Sequence, residues 1–229
     1  MKPAMPPQPD KVKAVIFDVY HTLLLVEKGW ADAAQRWVGW WQGFMEGALA
    51  PPLEEFDRQC RDLVEQDHVL RRAEGCGYPE VDWRSVACRA APELSGLSQE
   101  RLDRFLSGHA GLQRRTRAMP GARAFLAGLR AQGILTGLAS NAQRYTWDEL
   151  AAAGIVRENF SADCSFWSFE QGFSKPDPKV YAMLKERLAH QGIRPEETLM
   201  IGDRLDNDIL PARAAGWQAW HFQGRWPEL

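Results

Sequence analysis

Apolar positions along this chain fall into two rhythms. Short apolar runs recur at 14–19 (AVIFDV), 134–140 (ILTGLAS) and 198–203 (TLMIGD). Runs rich in β-branched and aromatic residues suit strands covered on both faces, as in a parallel sheet. Two of them follow stretches with helical spacing, GARAFLAGLRAQG and PKVYAMLKERLAHQG, each ending at a glycine that can stop a helix. A further short strand is predicted in QAWHF (218–222), after the helix LPARAAG, and another within FSADCSFW (160–167). Strands alternating with helices predict an α/β fold, a doubly wound parallel sheet.

Between 26 and 118 the rhythm is helical throughout, with no strand-like run. The stretches at 31–50, 56–74, 82–91 and 98–110 read as helices, with Asp82 and Ser98 as N-caps. The predicted layout is therefore a tail at 1–12, an α/β core from 13–25 and 119–229, and a helical insertion at 26–118. Pro120 and Gly121 mark the return to the core. In the first inserted helix Trp30, Trp37, Trp41 and Phe44 share one face. They are read as core of the insertion; the alternative is that one or two rings line a ligand site.

Charge and composition narrow the possibilities. The net charge is −2 and the pI about 6.2, so there is no basic signature of nucleic-acid or anionic-membrane binding. No apolar run approaches a bilayer span. The opening MKPAMPPQPDK carries four prolines and no apolar stretch, unlike a signal peptide. Cys60, Cys76, Cys88 and Cys164 lie far apart without metal-site spacing, as expected of reduced thiols in a cytoplasmic protein. A small-molecule substrate and a monomer or homodimer are expected.

In open parallel sheets, ligands bind beyond the carboxyl ends of the strands. The first predicted strand ends in Asp18. The second ends in Ser140 and Asn141. The 198–203 strand ends in Asp203, with Asp206, Asn207 and Asp208 beyond it, and Lys175 precedes a proline-held turn into a helix. The fold would gather these residues into one site.

Four segments, VIFDVYHTLLL, LASN, SKPDPKVY and IGDRLDNDILPARAAG, resemble in order the motifs of the haloacid dehalogenase superfamily. The resemblance covers the chain from Lys13 onward. It implies a Rossmann-like core with a helical cap inserted after the first strand. It makes Asp18 the nucleophile that forms a covalent intermediate. Thr22, Ser140 and Asn141 become substrate-binding residues; the alternative for either hydroxyl is a turn-forming role, which for Thr22 is nearly as strong a reading. Lys175 would offset charge beside Asp18. Mg²⁺ would be held by Asp18, Asp203 and the backbone carbonyl of Tyr20, with Asp208 supporting the site or anchoring Lys175. Asp206 is expected at the surface.

The nucleophile loop departs from the phosphatase pattern. The superfamily's phosphatases carry a second aspartate two residues past the nucleophile, where it protonates the leaving alcohol. Here that residue is Tyr20, whose phenol, with a reference pKa of about 10, is a poor base at neutral pH. The 2-haloacid dehalogenases of the superfamily carry tyrosine there and expel a halide that needs no proton. The acidic motif GDRLDND instead resembles the phosphatases. His21 stands where glycine is usual; it either packs or shuttles protons. The expected function is Mg²⁺-dependent hydrolysis of a small phosphorylated molecule. The alternatives are a metal-independent 2-haloacid dehalogenase and a non-catalytic binding protein.

Overall fold

β1 (Ala14–Phe17) is buried at all four positions and lies at the centre of a five-stranded sheet. The computed structural model describes residues 11–226, so the expected tail at 1–12 lies almost wholly outside the described residues. β1 pairs in parallel with β4 (Leu135–Ser140) on one side and β6 (Thr198–Gly202) on the other. β5 (Phe166–Trp167) flanks β4, and β7 (Gln218–His221) flanks β6, giving the order β5-β4-β1-β6-β7. Alternate residues of β1 enter opposite cores, as a strand's two-residue period requires. Val15 and Phe17 pack with Leu126, Leu138 and Trp226; Ala14 and Ile16 pack with Leu184, Met200 and Ile209. Burying one such large side chain stabilises the fold by roughly 1.5–3 kcal/mol.

The helices that cover this sheet are α5 (Ala122–Ala131), α6 (Thr146–Ala152), α7 (Ser168–Gln171), α8 (Pro178–His190) and α9 (Leu210–Ala214). α5 and α8 stop at the expected glycines, Gly133 and Gly192, both with positive φ. A wide helical turn, Leu205–Ile209, runs straight into α9. The short helices α6 and α7 lack enough periodic positions to stand out in the sequence. The strand expected within 160–167 is only its last two residues.

The chain divides into two compact units, one comprising the described residues through Leu25 and from Thr116 onward, the other Val26–Arg115. The second unit contains α1 (Ala33–Phe44), α2 (Leu53–Ala73), α3 (Trp83–Ala90) and α4 (Gln99–Gln113). Asp82 and Ser98 cap α3 and α4 through bonds from Ser85 N (3.2 Å) and Arg101 N (3.3 Å). Trp37 and Trp41 are buried with Phe56 and Phe105. Gly108 lets α4 approach α1, because a Cβ there would stand 2.0 Å from the Trp40 ring.

Three expectations need correction. Residues 26–118 are not purely helical: β2 (Leu24–Lys28) and β3 (Arg114–Ala118) pair with each other in a two-stranded sheet. Their residues, LLVEK and RRTRA, are largely half-exposed and polar, so they lack the apolar run of a strand covered on both faces. Trp30 lies outside α1 and is 43% exposed, with the Arg36 guanidinium 4.1 Å from its ring centroid. The first inserted helix ends at Phe44, not near 50, because Glu46 and Gly47 both adopt positive φ.

Candidate active site

The strand order places Asp18 where the chain after β1 leads to β4 on one side while the chain after its neighbour β6 leads to β7 on the other, a divergence that opens a crevice in such sheets. Asp18 follows β1 directly and is fixed by its N–H, which donates to the Ile201 carbonyl at 2.8 Å. Ser140 ends β4, and Asp203 follows β6. Lys175 arrives from the loop before α8 and is only 3% exposed. Its ammonium donates to Asp18 Oδ1 at 2.7 Å and to Asp208 Oδ1 at 2.6 Å.

Asn141 sets the lysine loop. Its Nδ2 donates to the Lys175 carbonyl at 2.9 Å, and its Oδ1 accepts from the Lys175 N–H at 2.7 Å. Asp208 is 1% exposed, and its Oδ2 accepts from the Arg204 N–H at 3.0 Å. Gly202 makes room for it: a Cβ there would lie 2.3 Å from Asp208 Oδ2. Asp206 is exposed and paired with Arg204.

Thr22 and Ser140 are both fully buried, and among the described residues neither hydroxyl oxygen has a hydrogen-bond partner. Buried hydroxyls without partners are costly. Two of them, one in the loop after β1 and one at the end of β4, are suited to donate to anionic oxygens of a ligand.

Asp18, Asp203 and Asp208 each offer an oxygen, all within 4.8 Å of one another. With Lys175 as the partner cation, three ionised carboxylates leave an excess of two negative charges. Hard oxygen donors with that deficit fit a divalent cation such as Mg²⁺. Burial pushes the Asp18 carboxyl up to about 7, with Lys175 pulling down and Asp208 and Asp203 pushing up. Asp203 is raised by burial and by Asp208, while His21 pulls it down. For Lys175, burial disfavours the charge, but Asp18 and Asp208 outweigh it and raise its pKa.

The Tyr20 hydroxyl donates to Glu149 Oε2 at 2.5 Å and shares a 2.7 Å hydrogen bond with Thr146 Oγ1, both on α6. His21 is exposed and adopts φ of +59°, where non-glycine residues are uncommon. The left-handed conformation explains why glycine suits this position.

Several supporting residues carried no signal in the sequence reading. Thr146 and Glu149 reach Tyr20 across more than a hundred residues of chain, from a helix too short to show a periodic pattern. His221 Nε2 hydrogen-bonds with the Asp203 carbonyl at 2.8 Å. Tyr181, inside the SKPDPKVY segment, donates to the Asn207 carbonyl; its place on the buried face of α8 was the available clue. In the helical unit Arg58 pairs with Glu55 and Asp62, and Arg71 donates to the Glu80 carbonyl.

Comparison with known proteins identifies the family. A model of the haloacid dehalogenase-like hydrolase family matches residues 12–216. The phosphoserine phosphatase of Thermus thermophilus is 34% identical over 64% of this chain and 57% of its own length. A glyceraldehyde 3-phosphate phosphatase of Methanopyrus kandleri is 28% identical over 90% of this chain and 81% of its own. Against the first relatives, the match spans about half of their length. The fold is shared by a 2-haloacid dehalogenase from Pseudomonas syringae (TM-score 0.56, 19% identity, 91% of this chain and 85% of that one). It is also shared by a Bacteroides thetaiotaomicron enzyme solved with magnesium and inorganic phosphate (TM-score 0.55, 15% identity, 93% and 95%). With the family matched over most of its length and its four motifs gathered around Asp18, the chain belongs to the haloacid dehalogenase-like hydrolases.

Proposed function

We propose that this protein is a phosphohydrolase acting on a small phosphorylated molecule through Asp18, with Mg²⁺ as cofactor. The observation that carries the reading is the acidic cluster of Asp18, Asp203 and Asp208 around Lys175. Attack on a haloacid carbon needs one carboxylate and no cation, so it gives no reason for the excess of negative charge. The phosphatase relatives and the magnesium- and phosphate-bound neighbour support the same reading.

Mg²⁺ would be held by Asp18, Asp203 and the Tyr20 carbonyl, and when bound supplies positive charge to the phosphoryl oxygens. The rest is done by the chain. Lys175 engages Asp18 Oδ1, which leaves Oδ2 to attack phosphorus. A P–O bond to aspartate forms as the ester P–O bond breaks, and the alcohol departs with the electron pair. Thr22 and Ser140 donate to the non-bridging oxygens, which answers their lack of partners. The departing oxygen takes its proton from solvent. Water then attacks the acyl phosphate at phosphorus, releasing phosphate and restoring the Asp18 carboxylate; the water's proton passes to solvent.

Tyr20 favours a second reading, the metal-independent 2-haloacid dehalogenase. A parallel screen of phosphate esters and 2-haloacids, in Mg²⁺ and in EDTA, separates the two. Phosphate release that needs Mg²⁺ is expected. Halide release that persists in EDTA, without phosphate release, would overturn the phosphohydrolase.

A further inference from the structure

The loop that presents Asp18 is tied to α6 by one side chain. Tyr20 donates to Glu149 Oε2 at 2.5 Å and meets Thr146 Oγ1 at 2.7 Å. Thr146 is fully buried, and its Oγ1 also accepts from the Gln143 N–H at 3.3 Å. It therefore fixes the turn between the end of β4 and α6. That turn begins with Ser140 and Asn141, and Asn141 grips the Lys175 backbone from both sides. Hydrogen bonds thus run from the nucleophile loop to Thr146 and on to the Gln143 N–H, and the two peptide units from Gln143 back to Asn141 join them to the bonds that hold the lysine loop.

The nucleophile loop has reason to need such a tie. His21 sits in the left-handed region at φ +59°, and a strained residue persists only where its surroundings over-determine it. Its own N–H donates to the Leu24 carbonyl at 2.6 Å, while Leu23 and Leu24 both donate to the Val19 carbonyl at 2.8 Å. These local bonds close the turn on itself. Beyond the turn, the Met119 N–H donates to the Leu23 carbonyl at 2.8 Å, and Val19, Leu23 and Leu24 are buried in the core that holds Leu138 of β4. The Tyr20 hydroxyl adds the side-chain tie to α6.

Building on the phosphohydrolase reading, we propose that Tyr20 is a positioning residue, with Glu149 and Thr146 as its anchor. Its side chain latches the nucleophile loop to α6, so that the Tyr20 carbonyl and the Asp18 carboxylate are aimed at one cation. It takes no part in proton transfer. The position that carries an acid in the superfamily's phosphatases is used here for alignment.

The test compares wild type with Tyr20→Phe, Glu149→Leu and Glu149→Gln, each shown to be folded by its melting curve in EDTA. Mg²⁺ affinity is measured by calorimetry. Supporting partners of metal ligands typically contribute 10–100-fold to affinity, so Tyr20→Phe and Glu149→Leu are expected to weaken binding about tenfold. Glu149→Gln keeps an oxygen that accepts from the phenol and stays within about threefold of wild type. Amide exchange at residues 18–24, measured in EDTA, speeds up in the two damaging variants and not in the rescuing one. A second measurement excludes an acid role: kcat/KM for an aryl and an alkyl phosphate falls by the same factor in Tyr20→Phe. A much larger fall for the alkyl ester would show Tyr20 donating a proton and overturn the proposal. Unchanged Mg²⁺ affinity and exchange in Tyr20→Phe and Glu149→Leu, with wild type binding Mg²⁺, would overturn the latch alone. A wild-type protein that neither binds Mg²⁺ nor releases phosphate would overturn the phosphohydrolase reading, and the latch with it.

Discussion

Asp18, Lys175 and Asp208 form a buried chain of alternating charge, so each single substitution has a distinct expected result. Asp18→Asn removes the nucleophile while keeping an acceptor for Lys175, and is expected to abolish hydrolysis in protein that remains folded. Retention of a tenth of wild-type turnover, in protein free of deamidated aspartate, would remove Asp18 from that role. Lys175→Met leaves Asp18 and Asp208 buried without their shared cation. Stranding buried charge typically costs about 3–5 kcal/mol, and urea unfolding should show a loss of that order. Adding Asp208→Asn to Lys175→Met should return part of it, because one stranded charge is gone. Strict additivity of the two changes would mean that the residues do not act as a unit.

At the scale of elements, β6 shows how a strand end is shaped for its site. Its last residue, Gly202, faces Asp208 so closely that a Cβ would lie 2.4 Å from the Asp208 Cγ. Gly202→Ala is expected to cost about 1–3 kcal/mol through overpacking and to cut activity by displacing Asp208 from Lys175. A variant of wild-type stability and activity would contradict this. The other end of the same strand carries a pH-dependent tie. Glu197 accepts from the Arg194 side chain and backbone N–H, and pairs with Lys13 ahead of β1 at 2.9 Å. Those bonds hold its carboxyl down, from 4.5 to about 2. A depressed acid contributes its stability in full above 4.5 and loses it as pH falls toward 2. Melting temperature should therefore fall across that window, and less steeply in Glu197→Gln. An identical slope in both proteins would assign the acid sensitivity elsewhere. The same elements show what the sequence reveals. β1, β4 and β6 were legible because strands covered on both faces must be apolar throughout. Asp18, Ser140, Lys175 and Asp203 were legible because strand ends and a proline-held turn fix where they fall. β2 and β3 were not, since they pair only with each other and keep polar residues. Glu149 and Thr146 were not, because a hydrogen bond to Tyr20 from a helix over a hundred residues away leaves no periodic trace.

Over the whole molecule, two units with separate cores imply two responses to a ligand. Every residue assigned to the site, Asp18, Tyr20, Thr22, Ser140, Asn141, Lys175, Asp203 and Asp208, lies in the unit built on the five-stranded sheet. The helical unit packs Trp37, Trp41, Phe56 and Phe105 into a core of its own. A cation that binds only the folded sheet unit stabilises that unit by mass action, by about 2.7 kcal/mol at a hundred times its dissociation constant. Units with their own cores can open separately, and hydrogen exchange reports each opening where it occurs. Adding Mg²⁺ is therefore expected to slow exchange strongly in β1, β4 and β6, and to leave α2 and α3 near their rates in EDTA. Asp203→Asn should abolish the difference in the sheet without changing the helices. Equal slowing in both units would show that they unfold as one cooperative body. No slowing in either, at millimolar Mg²⁺, would contradict a cation at the acidic cluster and return the choice of chemistry to Tyr20, the residue that favours the dehalogenase.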